Sequence, residues 1–141
     1  GGNNADIFGG GGGADSLLGG SGNDTIYGAA GADIADGAGG NDQVYGGDGN
    51  DTLTGGAGDD SIFGGNGNDS LIFEANHGDD YVGAFETKGD NTLDLSALNL
   101  SGFGALGISQ SGADVVIDTG EGTITLWNTN TGDVTANDFV F

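Results

Sequence analysis

One apolar residue recurs on a fixed beat through the first half of the chain. Phe8, Leu17, Ile26, Ala35, Val44, Leu53, Ile62 and Leu71 stand nine residues apart. High charge with so much glycine would otherwise suit a disordered chain, but a strict beat of nine is not random low complexity and marks a repeat array instead. Two places before each apolar residue stands an acid: Asp6, Asp15, Asp24, Asp33, Asp42, Asp51, Asp60 and Asp69. Each copy divides into a six-residue loop and a three-residue strand whose side chains alternate out, in, out. Only the eighth residue is then expected to face inward. Two copies make one coil, with a loop at each edge. Stacked coils put Phe8, Ile26, Val44 and Ile62 on one wall and Leu17, Ala35, Leu53 and Leu71 on the other, with Ala35 the thin spot.

Glycine fills the rest of the loop. Gly10, Gly19, Gly28, Gly37, Gly46, Gly55 and Gly64 hold the first position. The second is Gly11, Gly20, Gly47, Gly56 or Gly65, replaced by Ala29 and Ala38 in two copies. Gly13, Gly22, Gly31, Gly40, Gly49, Gly58 and Gly67 hold the fourth. Such loops are expected to take positive φ and to bring their carbonyls close to a ligand. In the first copy Asn4 stands at the fourth position, the substitute that best tolerates a left-handed backbone.

The phrase G-G-x-G-x-D-x-U-x resembles the calcium-binding nonapeptide of the RTX (repeats-in-toxin) family. The resemblance implies a right-handed parallel β-roll and carbonyl ligands at the first, second and fourth positions, with Asp at the sixth. A hard cation with six to eight oxygen ligands suits one carboxylate and several carbonyls per loop, and Ca²⁺ fits flexible loops better than Mg²⁺. One loop supplies half a shell, so ions are expected between loops stacked on the same edge. That gives three gaps per edge and six ions. A degenerate ninth copy follows a two-residue slip, with Asn76 and Gly78 in the loop, Asp80 as ligand and Val82 inward. It would raise the number to seven. His77, the sole histidine, is expected at a solvent-facing loop position. Tyr27, Tyr45 and Phe63, eighteen residues apart, are expected to stack on the outer face as packing rather than as a sugar-binding strip.

Composition turns from glycine-rich to β-rich after the array, which divides the chain into residues 1–74, the roll, and 75–141, a degenerate repeat with a capping segment. Residues 91–96 alternate as a strand, with Ser96 placed to cap a short helical turn. Residues 115–117 and 123–126 read as a hairpin with Trp127 in its packing. Asp138, Phe139, Val140 and Phe141 close the chain as a short strand. This order of features resembles the C-terminal target region of type I-secreted RTX proteins, and implies that those four residues serve as an uncleaved secretion signal. The tail also resembles the R-modules of secreted mannuronan epimerases. A stacked array ends in an unpaired edge, so the tail is expected to cap it.

Charge sharpens the picture. The 141 residues carry 22 acids against one Lys or Arg, for a net charge of −21. That field attracts cations and disfavours nucleic acid, anionic membranes and other polyanions. Eight inward side chains cannot offset the ordering of so long a glycine-rich chain, so the array is expected to fold only with its cation. There is no Cys, no membrane-spanning run and no signal peptide, and none of the common catalytic motifs occurs. The chain opens in phase with the repeat and without Met, as a piece of a longer protein would. The expectation is a non-catalytic, calcium-dependent folding and secretion domain, partnered by upstream domains of its own polypeptide and by the type I secretion machinery. Its setting would be extracellular, secreted or at the surface of a Gram-negative bacterium. A polysaccharide- or surface-binding accessory module is the alternative.

Overall fold

The computed structural model describes residues 2–83, 85 and 91–141. Six-residue strands follow one another through the array: β1 (Ile7–Gly12), β2 (Ser16–Ser21), β3 (Thr25–Ala30), β4 (Ile34–Gly39), β5 (Gln43–Asp48), β6 (Thr52–Ala57) and β7 (Ser61–Asn66). The short β8 (Ser70–Ile72) ends the regular part. Each strand pairs in parallel with the strand one coil on, so odd and even strands build two facing sheets of a parallel β-roll.

The strands are twice the expected length, and the pairing shows why. After Ile7↔Thr25, Phe8↔Ile26 and Gly9↔Tyr27, the ladder skips Gly10 and resumes at Gly11↔Ala29 and Gly12↔Ala30. Stacked coils have identical backbones, so the loop residues find parallel partners as readily as the strand residues do. A sharp corner of three residues remains. Burial corrects a second expectation: the sixth, eighth and first positions all face inward, as at Asp42, Val44 and Gly46. The carboxylates therefore lie within the roll, beside the core. Asn4 does not take positive φ, whereas Ala29 (φ 83°) and Ala38 (φ 75°) do. The second position thus imposes its left-handed backbone even on alanine, and the fourth position of the first copy, with no coil beneath it, is not held to that conformation.

The sheets run on through the tail, across residue 75. β9 (Gly78–Gly83) pairs with β7 after the two-residue slip, and β10 (Thr92–Asp94) pairs with β8. β11 (Gly107–Ser111), which the sequence reading lacked, forms an antiparallel meander with β12 (Asp114–Asp118) and β13 (Gly122–Leu126). β13 then lies parallel on β9, and β14 (Phe139–Val140) lies parallel on β10. The core walls are accordingly longer than expected. Phe8, Ile26, Val44 and Ile62 continue into Val82 and Leu126, and Leu17, Ala35, Leu53 and Leu71 continue into Leu93 and Phe139. The tail closes the roll by extending both sheets.

Two smaller expectations change, and the end of the chain proves to be structural. Ser96 is the first residue of its 3₁₀ turn and caps nothing; its N–H donates to the Asp94 carboxylate at 2.9 Å instead. Trp127 is 54% exposed, with its N–H on the Val82 carbonyl of β9 at 3.0 Å. Asp138 is buried and completes a capping box with Thr135, and Phe139 is a core residue, so the terminal strand belongs to the fold.

Candidate metal centre

Along one edge of the roll, Asp6, Asp24, Asp42, Asp60 and Asp80 form a column; Asp15, Asp33, Asp51 and Asp69 form the other. From Asp24 on, each acid reaches back to the coil before it. Asp42 Oδ1 accepts the N–H of Asp24 at 2.7 Å, and Asp60 Oδ1 that of Asp42 at 2.7 Å. Across the slip, Asp80 Oδ1 takes the N–H of Asp60 at 3.0 Å. The even column repeats the contact, with Asp33 N–H on Asp51 Oδ1 at 2.8 Å. One oxygen of every interior Asp is thus spent on fixing the stack.

The other oxygen has no partner. Oδ2 of Asp15, Asp24, Asp33, Asp42, Asp51, Asp60 and Asp69 is buried and accepts no hydrogen bond. A buried acceptor left without a donor is costly, and a full set repeating at each loop points to a ligand. First-position glycine shapes the place where that ligand fits. A methyl group added on Gly10 would lie 2.6 Å from Asp15 Oδ2 and 2.7 Å from the Gly28 carbonyl of the next coil. Beside Gly19 the same two atoms are Asp24 Oδ2 at 2.6 Å and Gly37 O at 2.7 Å. A carboxylate oxygen of one coil and a carbonyl of the next therefore converge on one small space, as an ion between coils requires. Fourth-position glycines are needed for another reason: on Gly40, a side chain would run into the Gly22 carbonyl below. Second-position carbonyls are partly engaged, since Gly2 O accepts the N–H of Ser21 at 2.8 Å.

Among the described residues no three His, Cys, Asp or Glu side chains cluster around one point. The donors are instead one carboxylate per loop and main-chain oxygens, the set a hard cation such as Ca²⁺ takes. Electrostatics agree. Burial, helped by neighbouring acids, pushes Asp60 up to about 7, against the hydrogen bond from Asp42 N–H. Burial raises Asp42, Asp51 and Asp69 as well. Stacked like charges out of water need a cation to stay ionised.

The ninth loop departs from this plan. Asn76 (φ 61°) and Gly78 (φ 92°) give it the backbone of the other loops, and Asp80 sits in the column as expected. His77, however, is buried, not solvent-facing. The chain turns at this point, with the His77 N–H on the Glu74 carbonyl at 3.2 Å, and the ring packs edge-on against Phe73. Its Nδ1 lies 2.7 Å from Asp80 Oδ2, the very atom left bare in the loops below. On the even edge the column ends in Asn91, whose Oδ1 accepts the Asp69 N–H at 2.8 Å. The sequence reading missed Asn91, though Asn-Thr-Leu at 91–93 repeats the Asp-x-apolar phrase with an amide for the acid.

A second ladder also went unread. The fifth loop position stacks Asx side chains on the outside: Asn41 N–H donates to Asn23 Oδ1 at 3.0 Å, and Asn68 N–H to Asn50 Oδ1 at 3.0 Å. Outside the strands, Tyr27, Tyr45 and Phe63 stack as expected, with centroids 4.9 and 4.8 Å apart, and Tyr81 tilts onto Phe63.

Residues 1–35, 9–44, 36–71 and 45–79 match the RTX calcium-binding nonapeptide repeat (4 copies). No curated protein sequence matches the chain. Among solved structures, the AlgE6R3 subunit of the Azotobacter vinelandii mannuronan C5-epimerase is 28% identical, with a TM-score of 0.62 over 91% of this chain and 78% of that one. The AlgE6R2 subunit of the same epimerase is 26% identical, with a TM-score of 0.57 over 100% of this chain and 90% of that one. The extracellular lipase LipA of Serratia marcescens shares the fold at 17% identity and a TM-score of 0.53; 99% of this chain aligns, on 38% of the lipase. The bare carboxylate oxygens, the glycine cradle and the repeat lead to one assignment: this chain belongs to the RTX calcium-binding nonapeptide repeat family.

Proposed function

We propose that this chain is a calcium-driven folding module of a larger secreted protein, itself non-catalytic, exported unfolded by a type I system and folded outside the cell. The observation that carries the reading is the row of buried Oδ2 atoms without partners. One ion for each bare oxygen gives seven, shared between Asp15, Asp24, Asp33, Asp42, Asp51, Asp60 and Asp69 and the carbonyls of adjoining loops. Cytosolic calcium lies far below the ~0.1–1 mM affinities typical of extracellular modules, so the chain stays open inside and closes outside. At 10–100 times the dissociation constant each site adds about 1.4–2.7 kcal/mol to the folded state. Circular dichroism during a calcium titration tests the reading. A cooperative rise of β signal is expected, and a chain already β-rich and compact in excess chelator would refute it.

A second reading is an accessory module for a polyuronate-acting enzyme, favoured by the likeness to the epimerase subunits. Charge opposes it: six or seven ions still leave the chain acidic, and its only basic residue of the Lys/Arg type is Lys88. The aromatic strip helps little, because Tyr45 has both ring faces covered by Tyr27 and Phe63. Binding to alginate that persists in the micromolar range at low free calcium would promote this second reading.

A further inference from the structure

The ninth loop has what the others have except a bare oxygen. Asp80 Oδ2 faces upward in the stack, into the gap between its own loop and the corner around Thr119, Gly120 and Glu121 that begins the last coil. Gly122 stacks directly on Gly78, as each fourth-position glycine stacks on the one below. In the lower gaps this is the ion's place. Here it holds the imidazole of His77, with Nδ1 at 2.7 Å from Asp80 Oδ2 and Nε2 at 2.9 Å from Thr119 Oγ1.

Thr119 is itself held at this corner: its hydroxyl lies 3.0 Å from the Gly122 carbonyl, which also takes the Thr119 N–H at 3.1 Å, and accepts the Glu121 N–H at 3.3 Å. The imidazole meets that hydroxyl through Nε2 and the Asp80 carboxylate through Nδ1. The ring links the carboxylate of one coil to the corner of the next, as an ion links its two loops.

We infer that His77 is the built-in terminator of the odd-edge column: its imidazole stands in the ion's place on Asp80, and so docks the C-terminal meander onto the roll without calcium. The inference rests on the calcium reading of the lower gaps. The even column points the same way from its own residues, because it ends in Asn91, an amide that keeps the Oδ1 contact but brings no charge for an ion to neutralise. Both columns thus stop where the repeats give way to the meander and the terminal strand.

The test uses the full chain with two readouts: calcium count by native mass spectrometry at saturating ion, and emission of Trp127, the sole tryptophan, which sits at the end of β13. His77→Ala strips Asp80 Oδ2 of its partner. It is expected to bind one ion more than wild type and to need about tenfold more calcium for the Trp127 change, because a buried carboxylate is left unpaired. His77→Ala/Asp80→Asn removes the charge as well; it is expected to return the ion count to wild type and the Trp127 midpoint to within about twofold. The double variant also decides the matter if the single variant does not fold. An unchanged ion count in a folded His77→Ala, or a double variant no closer to wild type than the single one, overturns the assignment. A wild-type chain that binds no calcium would instead refute the function proposed above, leaving this comparison without its premise.

Discussion

The middle of the roll and its C-terminal end use one backbone plan for two kinds of cohesion. From Asp24 to Asp69 every loop buries a carboxylate oxygen that no described residue satisfies. From His77 onward the buried polar groups satisfy one another: His77 with Asp80 and Thr119, Asp138 with Thr135. The core differs in the same sense. The middle packs one small or medium apolar residue per half coil, down to Ala35, whereas the end gathers Phe73, Leu93, Leu95, Ile117, Ile124, Leu126 and Phe139. The middle is held by what binds it, and the end by its own packing. The end therefore gives the array a finished edge to stack on, without which the last coil would have one neighbour only.

Phe139 tests the packing side of that contrast most severely. It is buried on Leu93 and touches Phe103 and Phe141. Phe139→Ala is expected to lose about 3–5 kcal/mol, the usual range for a buried Phe. It should raise the calcium midpoint and lower Tm at every calcium concentration, while Phe141→Ala, at a residue 39% exposed, should do neither strongly. If the two substitutions behave alike in a thermal melt, the terminal strand is not a working rung of the roll. Export can be scored on the same pair, which separates a signal role from a folding role.

Asp42 tests the cation side. Its Oδ2 lies bare in the middle of one column, and its Oδ1 holds the N–H of Asp24. Asp42→Ala removes one site, worth about 1.4–2.7 kcal/mol at 10–100 times the dissociation constant. The calcium midpoint should rise clearly at low ionic strength. Asp48→Ala, an exposed acid of the neighbouring loop position, is the control, since its carboxylate only accepts from Asn66 at 2.7 Å on the surface. Equal midpoints for the two variants would remove the columns from the account of calcium binding.

Protons should substitute for the cation, weakly and only in the middle. Asp60 titrates near 7 in the metal-free roll, and Asp42, Asp51 and Asp69 are shifted the same way by burial, from a starting value of 3.8. A folded-state value raised above the unfolded one means the folded chain binds more protons. That stability is complete below about 4 and is lost as pH rises through about 7. In calcium-free buffer, β signal is therefore expected to grow as pH is lowered from 8 to 4. With calcium saturating, the part of that range above about 5 should change little, because both the unfolded chain and the ion-loaded roll keep these carboxylates ionised there. A metal-free chain whose dichroism is flat across that range would contradict the burial of the columns.

The sequence made the middle legible and the end obscure, for physical reasons. In the array each inward Asp and each inward apolar residue recurs at a constant interval, so one copy explains all. Beyond Ile72 the interval becomes irregular: 20 residues from Asp60 to Asp80, 22 from Asp69 to Asn91. Leu93 and Phe139 then meet across an intervening antiparallel meander. No period survives to announce Leu126 or Phe139 as wall residues. His77 was misplaced because the third loop position is exposed or nearly so in the eight regular copies, and only the turn at Glu74 swings it inward. The carboxylates were found but their burial was not, since alternation was counted from the three-residue strand alone, and the strand proved to run on three residues into the next loop.

The smallest effect concerns the backbone of the middle itself. Ala29 and Ala38 hold φ of 83° and 75°, in the left-handed region that glycine occupies at the same position in Gly47, Gly56 and Gly65. An alanine there costs roughly 1–2 kcal/mol relative to its relaxed conformation. Replacing it by glycine removes that strain in the folded state but gives the unfolded chain more freedom, which takes back about 0.4–1 kcal/mol. One coil on, a side chain built on Gly47 would run into the Ala29 carbonyl, so the stack tolerates little added bulk at this position. Ala29→Gly is thus expected to lower the calcium midpoint slightly, with Tm up by a degree or a few, and Ala38→Gly should do the same on the other edge. The reciprocal change, Gly56→Ala, would drive its methyl into the Ala38 carbonyl of the coil below and should raise the midpoint more than either glycine lowers it. If Ala29→Gly and Gly56→Ala shift the calcium titration in the same direction, the left-handed second position is not what limits the stacking of the coils.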